Sequence, residues 1–354
     1  MEDNAFQSSA QPQALPFEFS GKGSEYFSIW IVNVALTIVT LGIYSAWAKV
    51  RRLQYLYRNT SLAGSSFDYH GNPMGILKGR MIALGALVAV QFSLQFAPGL
   101  GLILLVLLAA IMPWMIKRSL QFKLYNSSYR GLRFGFTGST GGAYRVFLGL
   151  GLATAFIGLI WPYMHHQIKS YQHNNSRFGQ TGFSFTARPA QFYKVYMIAG
   201  LLGILLLLLL VMMVSSALAP LFTSDGRSTN PLAFVVPILM VFAFFSIYQA
   251  IVGPYVQARL QNVVWNNTQL GPHQFISSVS ARQMMFITFT NLLLIIITLG
   301  LYKPFAVIRL LRYRFEHLSF VPQGSLDHFV AGQLQQQSAT GEETAEMFDI
   351  DISL

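Results

Sequence analysis

The residues most able to do chemistry are few. His165, His166 and His173 form the tightest histidine group. His166 and His173, seven apart, would share one face of a helix and could approach a metal ion together. No carboxylate or third spaced ligand accompanies them, so no metal or cofactor is expected, and an interfacial polar role fits better. Asp68 and His70 lie two apart, as same-face neighbours on a strand would. Asp68 is one of only two acids between residues 26 and 315, and an arginine partner suits it better than a catalytic dyad. The stretch GKGS at 21–24 lacks the full spacing of a phosphate-binding loop. The chain has no cysteine, which excludes thiolate chemistry and disulfides. Without paired carboxylates, a Cys nucleophile or a metal set, the sequence does not read as an enzyme.

A second group of polar residues is conspicuous because its surroundings are apolar. Asn33, Thr40, Asn291 and Thr298 lie inside long hydrophobic runs, as do Gln91, Gln95 and Gln249. Such residues either hydrogen-bond between helices or line a substrate path. No Asp, Glu or Lys stands deep in a run, although ion-coupled carriers usually place a carboxylate there. Asn33 and Asn291, with Thr40 and Thr298, are therefore the substrate-path candidates. Trp47 with Arg51, and Trp114 with Arg118, are the lipid-headgroup candidates. In each pair the cation follows the ring by one helical turn, so the ring can sit in the membrane interface while the guanidinium reaches a phosphate.

The elements that must carry these residues are hydrophobic. Of 354 residues 53% are hydrophobic and 10% charged, and mean hydropathy is +0.46. A soluble domain carries about 25% charged residues, so a soluble enzyme and a disordered chain are both excluded. Seven apolar blocks run near 26–48, 81–96, 99–116, 143–164, 195–220, 231–255 and 284–306. The second and third form a tight hairpin around Pro98. The fifth and sixth form a longer one around residues 223–230. All 24 Lys and Arg except Lys22 fall between residues 49 and 314, flanking the blocks. That is the positive-inside pattern of a membrane protein rather than a nucleic-acid footprint. The first block serves as its own insertion signal. Residues 1–16 and the Gln-rich, then acidic, tail at 321–354 read as flexible, and 17–320 as the transmembrane domain.

The segments between the blocks resemble one another. An ungapped offset of 67 carries Trp47 onto Trp114, Arg51 onto Arg118, Asn59 and Thr60 onto Asn126 and Ser127, and Phe67 onto Phe134. Offsets of 116 and 208 bring Asn175 and Asn267 to the position of Asn59. An offset of 258 superposes TLGIY at 40–44 on TLGLY at 298–302, and Asn33 on Asn291. The unit reads as a membrane block, a basic interfacial tail, an Asn-Thr or Asn-Ser stop and a short strand of the type Phe-x-Phe, five times over.

The string FEFSGKGSEYF at 17–27, the stretch from Asn33 to Thr60 enclosing TLGIYSAWAKVR, and FDYHG at 67–71 resemble the YjgN-like family of bacterial inner-membrane proteins, a domain of unknown function. The resemblance covers about residues 17–320 and is strongest over the first 80. It implies a multi-pass inner-membrane location and brings no substrate or catalytic residue.

Two topologies are open. Seven simple spans would place 17 cations inside and 7 outside, several of these in the loop from His165 to Lys194. If instead blocks one, four and seven enter and return, only Arg227 lies outside, and the five strand segments could share one sheet. Both put the C-terminus in the cytoplasm. The expected fold is an all-α polytopic membrane protein of about seven apolar blocks in five degenerate repeats, with short cytoplasmic strands between them. The expected function is a transporter or channel for an anionic or amphiphilic solute. The alternative is a lipid-binding or membrane-organising protein. Anionic membrane lipids are the expected partners, and nucleic acid is not.

Overall fold

A computed structural model describes residues 14–223, 232–327 and 329–333. The stretch 1–13, the loop around 224–231 and the acidic tail beyond 333 lie outside the described residues.

The Asn-Thr and Asn-Ser stops organise the chain. Asn59, Asn126, Asn175 and Asn267 each donate from Nδ2 to the carbonyl four residues back, at 2.7–2.8 Å. The next residue does the same with its hydroxyl: Thr60, Ser127, Ser176 and Thr268 bond the carbonyls of Leu56, Lys123, Gln172 and Val264. Each pair thereby satisfies carbonyls that a helix end leaves without partners. His317 takes the role at the last stop, its Nδ1 2.8 Å from the Tyr313 carbonyl. After every stop the chain turns straight into a strand.

Ten short strands result among the described residues. They are β1 (Leu15–Phe19), β2 (Thr60–Leu62), β3 (Ser65–Tyr69), β4 (Ser127–Tyr129), β5 (Leu132–Phe136), β6 (Ser176–Phe178), β7 (Thr181–Phe185), β8 (Thr268–Leu270), β9 (His273–Ser277) and β10 (Leu318–Val321). All pairings are antiparallel and sequential, and β1 closes the ring on β10. The all-α expectation is therefore wrong. The strand segments form a complete barrel, and closure removes the sheet edges that strands of three to five residues could not protect alone.

The seven-block expectation also fails. Among the described residues, four helices are long and apolar enough to cross a membrane: α3 (Pro73–Phe96) with α4 (Pro98–Tyr125), and α8 (Pro189–Thr223) with α9 (Leu232–Asn266). Blocks one, four and seven each break and return. Block one is α1 (Gly23–Val39) and α2 (Ser45–Arg58), and block seven is α10 (Ala281–Ile297) and α11 (Lys303–Glu316). Block four is α5 (Thr140–Ala143), a π-helical turn at Tyr144–Gly149, α6 (Leu150–Phe156) and α7 (Trp161–Asn174). At 17 residues, α1 and α10 reach about 25 Å, short of a hydrocarbon core of about 30 Å.

The reversal is built into TLG. Leu41 and Gly42 adopt φ of 50° and 93°, and Leu299 and Gly300 repeat this at 50° and 94°. Gly42 N donates to Thr37 O and Leu41 N to Ile38 O, so the turn satisfies its own backbone and can enter hydrocarbon. Its tip is apolar and bare, with Leu41 95% and Leu299 94% exposed. Both ends of every helical hairpin thus return to the barrel. Neighbouring hairpins pack around it in chain order, with α11 closing against α1.

A basic cleft beside the first re-entrant hairpin

Thr40 and Thr298 are turn residues. Each hydroxyl donates to the carbonyl four residues back and accepts the N–H four residues ahead, that of Tyr44 or Tyr302. Each hydroxyl proton is thereby committed to the turn. Asn33 and Asn291 are both buried, yet they sit in different hairpins, on α1 and α10, each of which packs against α11. Asn291 is satisfied: Nδ2 donates to the Ala306 carbonyl at 3.3 Å, and Oδ1 accepts from Arg309 Nη1 at 3.2 Å. Asn33 Oδ1 is buried and has no hydrogen-bond partner. The offset explains the difference. Arg51 stands where Arg309 does, but its guanidinium turns away to the Tyr44 hydroxyl, 3.5 Å distant.

Asn33 lines a cleft of about 560 Å³ formed by α1, α2, α3 and α11. Lys49 and Arg52 enter from α2, Arg80 from α3 and Lys303 from α11, while Trp30, Val34 and Ile38 supply apolar wall. Among the described residues no acid lines the cleft. Arg80 bonds the Ser45 hydroxyl, which ties α3 to the start of α2. Burial holds the Lys49 ammonium below its ordinary pKa, and the neighbouring charges of Arg80 and Lys123 lower it further. Burial raises the Tyr26 hydroxyl, against the opposing pull of Arg52. An anion placed here would neutralise a cluster whose members repel one another, while Asn33 could accept from a hydroxyl on the same ligand.

The lipid-headgroup candidates lie elsewhere. The Arg118 guanidinium sits 5.6 Å from the Trp114 ring centroid, the turn-apart geometry expected of them. Arg259 repeats it over Tyr255 at 5.9 Å. Trp47 instead stacks on Tyr44. Arg118 also lines a shallow groove with Arg177 between α4 and the barrel. The histidines are dispersed: His165 meets Tyr196, His166 the Ala187 carbonyl and His173 the Thr268 hydroxyl. Asp68 pairs with Arg58 at 2.9 Å, and His70 turns to Ser128. Sequence reasoning missed Lys49, Arg52, Arg80 and Lys303 as a group. Three elements bring them together, and singly each reads as an ordinary flanking cation.

A closed barrel bearing apolar helical hairpins with a cationic cleft at their base defines the class, that of a membrane-embedded protein. The chain belongs to a family of bacterial proteins of unknown function, DUF898, which it matches over residues 14–347. It is 28% identical over 357 residues to the inner membrane protein YjgN of Salmonella typhimurium strain LT2, covering 87% of this chain and 88% of that one. It is also 33% identical to the inner membrane proteins YjgN of Escherichia coli O157:H7 and K12. Those alignments span 153 and 152 residues, 40% of this chain and 37% of each relative. No solved structure matches the chain.

Proposed function

We propose that this chain is a bacterial inner-membrane protein that holds an anionic phospholipid in the cleft, with the barrel and the C-terminus on the cytoplasmic face. The observation that carries the reading is a cleft lined by four cations and, among the described residues, no acid, with Asn33, whose buried Oδ1 has no partner, in its wall. The phosphate would lie among Lys49, Arg52, Arg80 and Lys303, and a headgroup hydroxyl would donate to Asn33 Oδ1. Cations near a membrane surface contribute about 1 kcal/mol each toward anionic lipid. The barrel would bring the flanking cations to one side of the bilayer, the side the positive-inside rule assigns to the cytoplasm. We take the five hairpin-and-strand units as copies of one repeat.

The lining residues include no carboxylate, histidine or cysteine, so the cleft is equipped to hold an anion rather than to move protons, and we assign no catalysis. Transport draws less support. Only 6–17% of each span's apolar window is buried within the chain, so the spans enclose little of a path between them, and aromatic rings line the bore of the barrel. Lipid extracted from protein purified in mild detergent tests the reading. Enrichment of phosphatidylglycerol over its share of the source membrane is expected. Recovery in membrane proportions would overturn it.

A further inference from the structure

The barrel's bore is lined by a girdle of five phenylalanines. Phe17, Phe67, Phe134, Phe183 and Phe275 follow one another around the wall with ring centroids 6.1, 6.4, 6.5 and 6.3 Å apart. Leu62, Leu270, Phe320 and Trp265 complete a cavity of about 130 Å³ with no polar lining surface. Protein interiors are close-packed and seldom keep voids larger than a water molecule. An apolar cavity of about 150 Å³ stays dry and accepts benzene or xenon.

The cavity has a separate cover. Beyond β10 a short helical segment lays Leu326, Phe329 and Val330 against the girdle. It is fastened by polar contacts at the rim rather than by strand pairing. Asp327, itself 84% exposed, pairs with Arg130. Gln333 Oε1 accepts from Gln180 N at 2.7 Å and Thr181 N at 3.2 Å. His273 Nδ1, beneath Phe329, accepts from Gln323 N at 2.9 Å. Such fastenings can open while the barrel stays paired.

We propose that the barrel is a second binding site, distinct from the cleft, which takes a small uncharged apolar molecule of about the size of benzene and is covered by the segment carrying Leu326, Phe329 and Val330. Trp265 is the reporter. With Trp30, Trp47, Trp114 and Trp161 replaced by Phe, it becomes the sole tryptophan emitter. In nanodiscs, bromobenzene should quench it saturably, and benzene should restore the emission by competition. Leu270→Phe, which fills the cavity, should weaken the saturable quenching at least tenfold. Asp327→Ala leaves the walls intact and should speed the onset several-fold at an unchanged plateau. Quenching that rises linearly and resists benzene would overturn the site, even if Leu270→Phe fails to fold. An unchanged onset rate in Asp327→Ala would overturn the role of the cover.

Discussion

Asn33 and Asn291 are related by the same offset as the two TLG turns, yet only Asn291 has an arginine on its oxygen. A hydrogen bond to a buried acceptor is worth about 1 kcal/mol net, close to fivefold in affinity. Asn33→Leu should therefore weaken phosphatidylglycerol binding about fivefold. Phosphatidic acid, which lacks a headgroup hydroxyl, should bind as before. Equal loss for both lipids in a competition titration would remove Asn33 from the site. Protonation provides a second residue-scale test. Burial, reinforced by the nearby charge of Lys169, pushes His165 and His173 down to about 4 from 6.5. The fold keeps both rings neutral, whereas the unfolded chain takes up protons near 6.5. Their contribution is complete above about pH 6.5 and is lost as pH falls toward 4. Thermal unfolding followed from pH 7 to 4 should show a falling Tm, with a shallower fall in His173→Gln; parallel curves would contradict this.

At the scale of elements, the turn TLG decides what a hydrophobic block becomes. Hydropathy marks residues 26–48 as one apolar block and cannot separate a span from a hairpin with a bare apolar tip. The signal was nevertheless present. A glycine after the last helical turn commonly marks a left-handed helix stop, and TLG occurs twice in register. A Cβ at Gly42 or Gly300 would meet nothing within 4 Å, so only backbone conformation opposes substitution. Gly42→Ala and Gly300→Ala should each cost about 1–2 kcal/mol, measured as a shift in denaturation midpoint in detergent. No shift would mean that the left-handed turn is not required. Five strands, β1, β3, β5, β7 and β9, were legible as alternation of the Phe-x-Phe type, but the five that follow the stops, and barrel closure, were not. Strands of three residues carry no register of their own, and the join of β1 to β10 links the two ends of the domain. The Trp114–Arg118 contact was legible because it is local, one helical turn apart, whereas Trp47 and Arg51 both turn to Tyr44. The cleft was not, because α2, α3 and α11 contribute its cations from distant parts of the chain.

For the whole molecule, the proposed reading takes the second of the two topologies. Each helical hairpin begins and ends on the barrel, so under that reading the ten strands share one face of the membrane. Single substitutions Ser66→Cys and Ser184→Cys, on exposed strand positions of a chain without cysteine, should both be shielded from impermeant thiol reagents in intact cells. Labelling of Ser184→Cys alone would restore seven simple spans. The central claim is that the cleft, and not basic charge in general, recognises anionic lipid. Native mass spectrometry of phosphatidylglycerol binding at matched salt tests it most directly. Arg80→Gln with Lys303→Gln removes two cleft cations, and Lys194→Gln with Arg282→Gln removes two exposed cations that do not line it. At about 1 kcal/mol per cation the first pair should weaken binding about thirtyfold, while the second leaves it within about twofold. Equal losses from the two double variants would contradict the account.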